Sequence, residues 1–328
     1  MHTCASVYLF LGIFPAIFLY PIDIYTVKVY NNTKEKLCDK PLSLTCISKG
    51  DFCMYKPLLG STIAPVKALG FYDWEYHYGI IPNLSELLEN LKKLGFHSVD
   101  VDSCRLFVPK DFAIYNEAYE QITAHGMKIN AIHMPITNEW GDLACQYESD
   151  RKEIVKMFSE LLKQLDKYNP SAFVFHPGGF GVNENNYPEY TERLIKSVNV
   201  LTEETDKKIC IENMAGRHFL DTSDKMCDFL SKCKNAYTCV DVNHFYYEKP
   251  EDAIAKYGDR IGTIHISDYD FVRERHFLPK EGKIDWMKVI AAFEKANYQG
   301  AFNYEVLERY SYEQIKENYE ELFNEYNK

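Results

Sequence analysis

Four short apolar runs in the second half of the chain each end in a side chain able to hold a metal ion: Ile211-Glu212-Asn213, Val240-Asp241-Val242-Asn243-His244, Ile264-His265-Ile266-Ser267-Asp268 and Tyr304-Glu305-Val306. Each run has the length of a buried parallel strand, so each carboxylate or imidazole falls where a strand leaves its sheet. Glu212, Asp241, His265 and Glu305, brought together there, make an oxygen-rich donor set. Carboxylates buried without a cation are penalised by desolvation and by mutual repulsion, and a divalent ion removes that penalty. The set suits one divalent metal, with Mn²⁺, Mg²⁺ or Co²⁺ favoured over Zn²⁺ by the number of oxygens.

Further imidazoles fall at similar points. His133 closes Ala131-Ile132-His133, His176 opens His176-Pro177-Gly178-Gly179, His244 follows Asp241 by three residues, and His276 lies two after Glu274. These five residues are candidates for a second metal, for substrate contact, or for hydrogen bonds that hold the ligands in place. Arg217, His218 and Arg273 lie just past strand ends and could bind a hydroxyl, carboxylate or phosphate, Arg217 and Arg273 being the two candidates retained. A lone Glu or His after a strand more often caps a helix or satisfies a loop. The joint occurrence carries the weight.

The elements that must position these residues alternate from Met54 onward. The pattern predicts strands at 58–64, 98–102, 128–133, 172–176, 208–212, 237–241, 261–265 and 301–305. Between them, Leu84, Leu87, Leu88, Leu91 and Leu94 recur at helical spacing and stop at Gly95; Ile154 to Leu165 repeats the pattern. Pro250 opens a short helix, and 286–296 and 312–326 supply the last two. Eight strands alternating with helices predict a (β/α)8 TIM barrel over 54–328 with an N-terminal extension at 1–53. In that fold all strand C-termini meet at one mouth. An open doubly wound sheet is the alternative, but no Gly-rich phosphate loop follows the first strand.

The net charge of −11 disfavours a protein whose affinity rests on neutralising nucleic-acid phosphates. Ten cysteines form no CxxC pair, so a zinc ribbon or a thioredoxin-type motif is unsupported, and buried free thiols in a reducing, cytoplasmic compartment are expected. The apolar run 7–20 spans about 21 Å as a helix, short of a ~30 Å hydrocarbon core. As a signal h-region or anchor it gives the secreted or membrane-anchored alternative, and Met54 offers a second start. Aromatic residues, 15% of the chain, favour self-association into a homo-oligomer.

The run from Glu212-Asn213 through Asp241-Val-Asn-His244, His265-Ile-Ser-Asp268, Arg275-His276, Glu281-Gly-Lys-Ile-Asp285-Trp286 and Glu305 resembles the xylose isomerase-like TIM barrel superfamily. Within it the chain looks like the sugar phosphate isomerase/epimerase and endonuclease IV-like branch, over about residues 56–326. The resemblance to the sugar epimerases implies that Glu212, Asp241, His265 and Glu305 bind one divalent ion, that Glu212 and Glu305 also move protons, and that His244 contacts substrate. The resemblance to the endonuclease IV-like members implies three zinc ions on His133, His176, Glu212, Asp241, His244, His265, residue 274, His276 and Glu305, with Glu274 here replacing the usual Asp. The expected function is therefore a metal-dependent sugar, sugar phosphate or polyol isomerase or epimerase working through an enediolate. The alternative is a trinuclear-zinc phosphodiesterase acting on abasic DNA. Ligand-competent residues at every position argue against a non-catalytic binding barrel.

Overall fold

In Ser98-Val-Asp-Val-Asp102 polar and branched apolar residues alternate, which sends Asp100 and Asp102 to one face of a strand and Val99 and Val101 to the other. That logic, repeated around a closed sheet, builds the molecule. The computed structural model describes residues 54–72, 75–103, 112–135, 141–216 and 219–328; the 1–53 extension with its apolar run, and Arg217 and His218, lie outside them.

The strands are β1 (Leu59–Ile63), β2 (Val66–Tyr72), β3 (Glu75–Ile80), β4 (Ser98–Asp102), β5 (Lys128–His133), β6 (Ala172–Phe175), β7 (Lys208–Glu212), β8 (Ala236–Asp241), β9 (Ile261–His265) and β10 (Phe302–Tyr304). The helices are α1 (Leu84–Leu94), α2 (Phe112–Ala124), α3 (Glu148–Leu165), α4 (Tyr187–Leu201), α5 (Ser223–Lys232), α6 (Pro250–Tyr257), α7 (Trp286–Lys295) and α8 (Tyr312–Tyr326). Eight strands pair in parallel in the order β10-β1-β4-β5-β6-β7-β8-β9, each followed by a helix, which is the (β/α)8 TIM barrel expected from the alternation. The eight expected strands lie within one or two residues of those observed. The two-stranded antiparallel ribbon β2–β3, between β1 and α1, is an addition that alternation alone did not separate.

Closure needs no eighth full ladder. Ile266, the residue after β9, donates its N–H to Asn303 O at 2.8 Å and accepts from Glu305 N at 3.0 Å. This pairing sets His265 beside Glu305, although 39 residues separate them in sequence.

Local signals end the elements where expected. Gly95 caps α1 in the left-handed region at φ 83°. Pro250 stands in the first turn of α6, and Ser311 and Gln314 form a capping box on α8. The main core lies between sheet and helices. Inside the barrel the packing is smaller and more polar: Ala131, Ala172, Val174, Cys210 and Cys239 share the interior with buried Asp100, Asn130 and Thr263. A register shift in the β4–β5 ladder leaves Asn130 unpaired, and its amide donates to Asp100 Oδ1 at 2.7 Å and Thr263 Oγ1 at 3.1 Å. Among the described residues no helix is long and apolar enough to cross a membrane. Most large aromatics sit in the core, with Tyr147, Phe180, Tyr247 and Phe271 among the exposed ones, so aromatic content says little here about self-association.

Candidate active site

Each candidate stands at a strand C-terminus because the inward parity of its strand puts it there. Glu212 ends β7, Asp241 ends β8, His265 ends β9, and Glu305 follows β10. In the ladders Asp241 lies opposite His265 and Glu212 opposite Cys239, so neighbouring donors are one strand apart. Ligand atoms of Asp241, His265 and Glu305 lie within 4.8 Å of one another, and Glu212 Oε1 joins them at 3.7 Å from His265 Nδ1.

Glu212 is the hub. Its Oε2 meets His133 Nε2 at 3.0 Å and His176 Nε2 at 3.3 Å, while Oε1 faces His244 Nδ1 at 3.6 Å. Burial alone would raise the Glu212 carboxyl, but the surrounding imidazoles, His176 first, hold it well below the usual carboxylate range. Asp241 goes the other way: burial and the charges of Glu305 and Glu212 push it up to about 6 against the pull of His244. Burial opposes a charge on His244, yet Asp241, Glu274 and Glu212 raise it to about 10.

His265 and Glu305 make the contact that reveals most. His265 Nδ1 and Glu305 Oε2 are 2.7 Å apart, yet neither atom makes a well-formed hydrogen bond. Buried polar atoms are paired as a rule, so two such orphans facing carboxylates fit a cation bound between them. Nε2 of the same ring lies 3.6 Å from Asp100 Oδ2 in the barrel interior, and Nδ1 is the nitrogen beside the Glu305 and Glu212 carboxylates. Burial would raise Glu305, but His265 and His276 hold it down to about 2. Three carboxylates and one imidazole with these orphaned atoms fit a divalent ion.

The remaining candidates form the rim. His276 Nδ1 donates to the Glu305 carbonyl at 2.9 Å, and its Nε2 meets Glu274 Oε1 at 2.7 Å. Glu274 Oε2 lies 3.7 Å from His244 Nε2, so Glu274 bridges the two rings from the β9–α7 loop. His244 Nδ1 donates to Asn213 O at 2.7 Å; the Asn213 side chain in turn exchanges two hydrogen bonds with the Asp241 backbone, at 2.8 and 3.0 Å. Arg273 is exposed on the same loop. The His176 loop turns on glycines: Gly179, at φ 77°, donates to buried Asp142 at 2.8 Å, and a Cβ there would come within 2.4 Å of Phe219.

Sequence reasoning passed over Asp100, whose signal is an acid in the middle of a buried strand, and gave Cys239 no role beyond that of a buried free thiol. Asp268, quoted in the motif, is no ligand. It accepts from Tyr269 N, Ile284 N, Lys280 N and the Trp286 indole, and so pins the β9–α7 loop.

The family model described as Xylose isomerase-like TIM barrel matches residues 88–325. A D-psicose 3-epimerase of Enterocloster bolteae is 22% identical over 230 residues, covering 65% of this chain and 73% of that protein. Among solved structures, a 3-keto-D-glucoside 4-epimerase from E. coli superposes with a TM-score of 0.62 at 16% identity, over 81% of this chain and 98% of that one. A D-psicose 3-epimerase from Clostridium cellulolyticum H10, solved with D-tagatose, gives 0.61 at 16% identity over 82% and 98%. At these identities the structural matches establish the fold.

Proposed function

This chain belongs to the Xylose isomerase-like TIM barrel family, and on that footing we propose that it is a divalent-metal-dependent epimerase or isomerase of a small sugar, sugar phosphate or polyol. The observation that carries this reading is the orphaned pair His265 Nδ1 and Glu305 Oε2, set among Glu212 and Asp241 at the barrel mouth. The D-psicose 3-epimerase relative and the epimerases sharing the fold support the substrate class.

Glu212, Asp241, His265 and Glu305 would hold the ion. When bound, a divalent cation polarises a carbonyl and an adjacent hydroxyl and so acidifies the C–H between them. Glu212 and Glu305 approach from β7 and from the end of β10, and both are ionised in the cluster described above, the state a base needs. One would take the proton from carbon and the other return it. His244, anchored by Asn213, would orient a substrate hydroxyl. Glu274 and His276 support the Glu305 side, and Arg217 and Arg273 are left for outer contacts of the substrate. The free thiols of Cys145, Cys210, Cys227, Cys233 and Cys239 support a reducing, cytoplasmic setting.

The test is proton exchange. Protein loaded with Mn²⁺ and given D-fructose, D-psicose and D-tagatose in D₂O should place deuterium on the carbon beside the carbonyl. No exchange with any ketose, polyol or phosphate ester in a broad panel would end this reading. A second reading has its own observation: His133 and His176 on Glu212, and His244 and His276 on Glu274, supply donors beyond one ion's needs. They support a trinuclear-zinc phosphodiesterase, against which the charge of −11 stands. About three zinc ions per chain by elemental analysis, with cleavage of an abasic duplex, would favour it.

A further inference from the structure

Beneath the four donors at the mouth, the barrel interior holds a thiol. Cys239 lies two residues before Asp241 on the same face of β8 and pairs in register with Glu212 of β7. It is fully buried, in the small interior cluster with Ala131, Ala172, Val174 and Cys210. Its Sγ, a Glu212 carboxylate oxygen and a ring nitrogen of His265 all lie within 4.8 Å of one another. With Zn–S near 2.3 Å and Zn–N near 2.0 Å, neighbouring ligand atoms of a tetrahedral ion stand about 3.5 Å apart, so modest side-chain shifts would complete the geometry.

Two further atoms point to an ion here. His265 Nδ1 has no hydrogen-bond partner although the residue is 2% exposed, and Asp100 Oδ2, 3.6 Å from His265 Nε2, has none either.

We propose that Cys239, Glu212 and His265 form an inner site for a thiophilic divalent ion such as Zn²⁺ or Cd²⁺. Its exclusion of the outer ion rests on the function proposed above, since both positions share Glu212 and His265. Hard ions gain nothing from sulfur and stay at the oxygen-rich mouth, whereas soft ions are drawn one layer inward. As the metal–sulfur bond forms, the thiol loses its proton to the buffer. A soft ion held there takes two of the four outer ligands and leaves Asp241 and Glu305 without them.

The test uses the full chain, stripped of metal by a chelator and titrated with Cd²⁺ while the thiolate-to-cadmium charge-transfer absorption is followed. Wild-type protein should show a band saturating at one equivalent. Cys239→Ser and Cys239→Ala should both lose it, which separates this thiol from the other nine cysteines. Loading Mn²⁺ first, followed by electron paramagnetic resonance, should suppress the band, and Cd²⁺ in excess should release the Mn²⁺. A band kept in both variants, or no band in the wild type, overturns the inner site. Full Cd²⁺ and Mn²⁺ occupancy at once overturns the sharing of ligands. Mn²⁺ binding reports separately on the mouth: its absence with the Cys239 band intact would count against the function proposed above while supporting the inner site.

Discussion

His265 carries more of the chemistry than its place in one short motif suggests. Its ring stands between an exterior pair of acids, Glu305 and Glu212, and an interior one, Asp100. Asp100 is itself held by Asn130 Nδ2 and Ala131 N, at 2.7 and 3.1 Å, so its carboxylate cannot swing away. A carboxylate behind a ligating imidazole fixes tautomer and orientation, and its loss typically weakens metal binding 10- to 100-fold, so Asp100→Asn is expected to lower Mn²⁺ affinity by about that factor with the fold kept. Isothermal titration measures it, and unchanged affinity would remove Asp100 from the site. The same ring gives a pH dependence with a definite sign. Burial opposes its charge, but Cys239 first, then Glu305 and Asp100, raise its proton affinity above the ordinary imidazole range. In the metal-free chain a proton on this ring is therefore held more tightly than on a free imidazole, and a metal taking Nδ1 competes with it. Affinity should rise with pH, by about one decade per pH unit for each proton displaced, and titrations in buffers of different ionisation enthalpy should report proton release near pH 7. For proton transfer itself, Glu305→Gln should reduce substrate C–H exchange by about 10²–10⁴-fold, read by deuterium incorporation.

At the scale of elements, strands were more legible than loops. Parity in β7, β8 and β9 is strict enough that apolar runs alone located Glu212, Asp241 and His265, and the leucine spacing of α1 located its end at Gly95. The β2–β3 ribbon was not separated, because aromatic alternation in a segment between a strand and a helix has no partner visible in sequence. Asp268 was legible as a motif member but not as a brace, since its partners at 280, 284 and 286 converge only when the loop folds back. The close fit at Gly282 belongs to the same brace: a Cβ there would stand 2.2 Å from Asp268 Oδ1. Replacing Asp268 by Ala strands the buried Trp286 indole N–H and several backbone donors, each paired with a charged acceptor. Asp268→Ala should therefore cost at least about 3 kcal/mol of unfolding free energy in urea. Because the braced loop carries Glu274 and His276, metal affinity should fall as well. Full stability in the variant would mean that the loop is held elsewhere.

Over the whole molecule, the barrel closes with little sequence. β10 has three residues, and its seam with β9 runs through Ile266 alone, yet this seam brings Glu305 to His265. The chain ends reinforce it: Tyr55 donates to Tyr298 O at 3.2 Å, Asn327 to Tyr55 O at 3.2 Å, Tyr319 to Pro57 O, and Lys56 pairs with Glu320 at 2.5 Å. Residues 55–57 thus tie the entry of β1 to α8 and the β9–β10 side of the barrel. These ties make residues 55–57 part of the barrel's folding unit. A chain started at Met54 should keep the urea midpoint and the Mn²⁺ affinity of the full protein. Removing residues 54–58 as well strips out buried Tyr55 and the cross-chain bonds, which should cost about 4 kcal/mol. If the cut at 54 were the damaging one and the second cut added nothing, the extension rather than Tyr55 and Lys56 would be what completes the barrel.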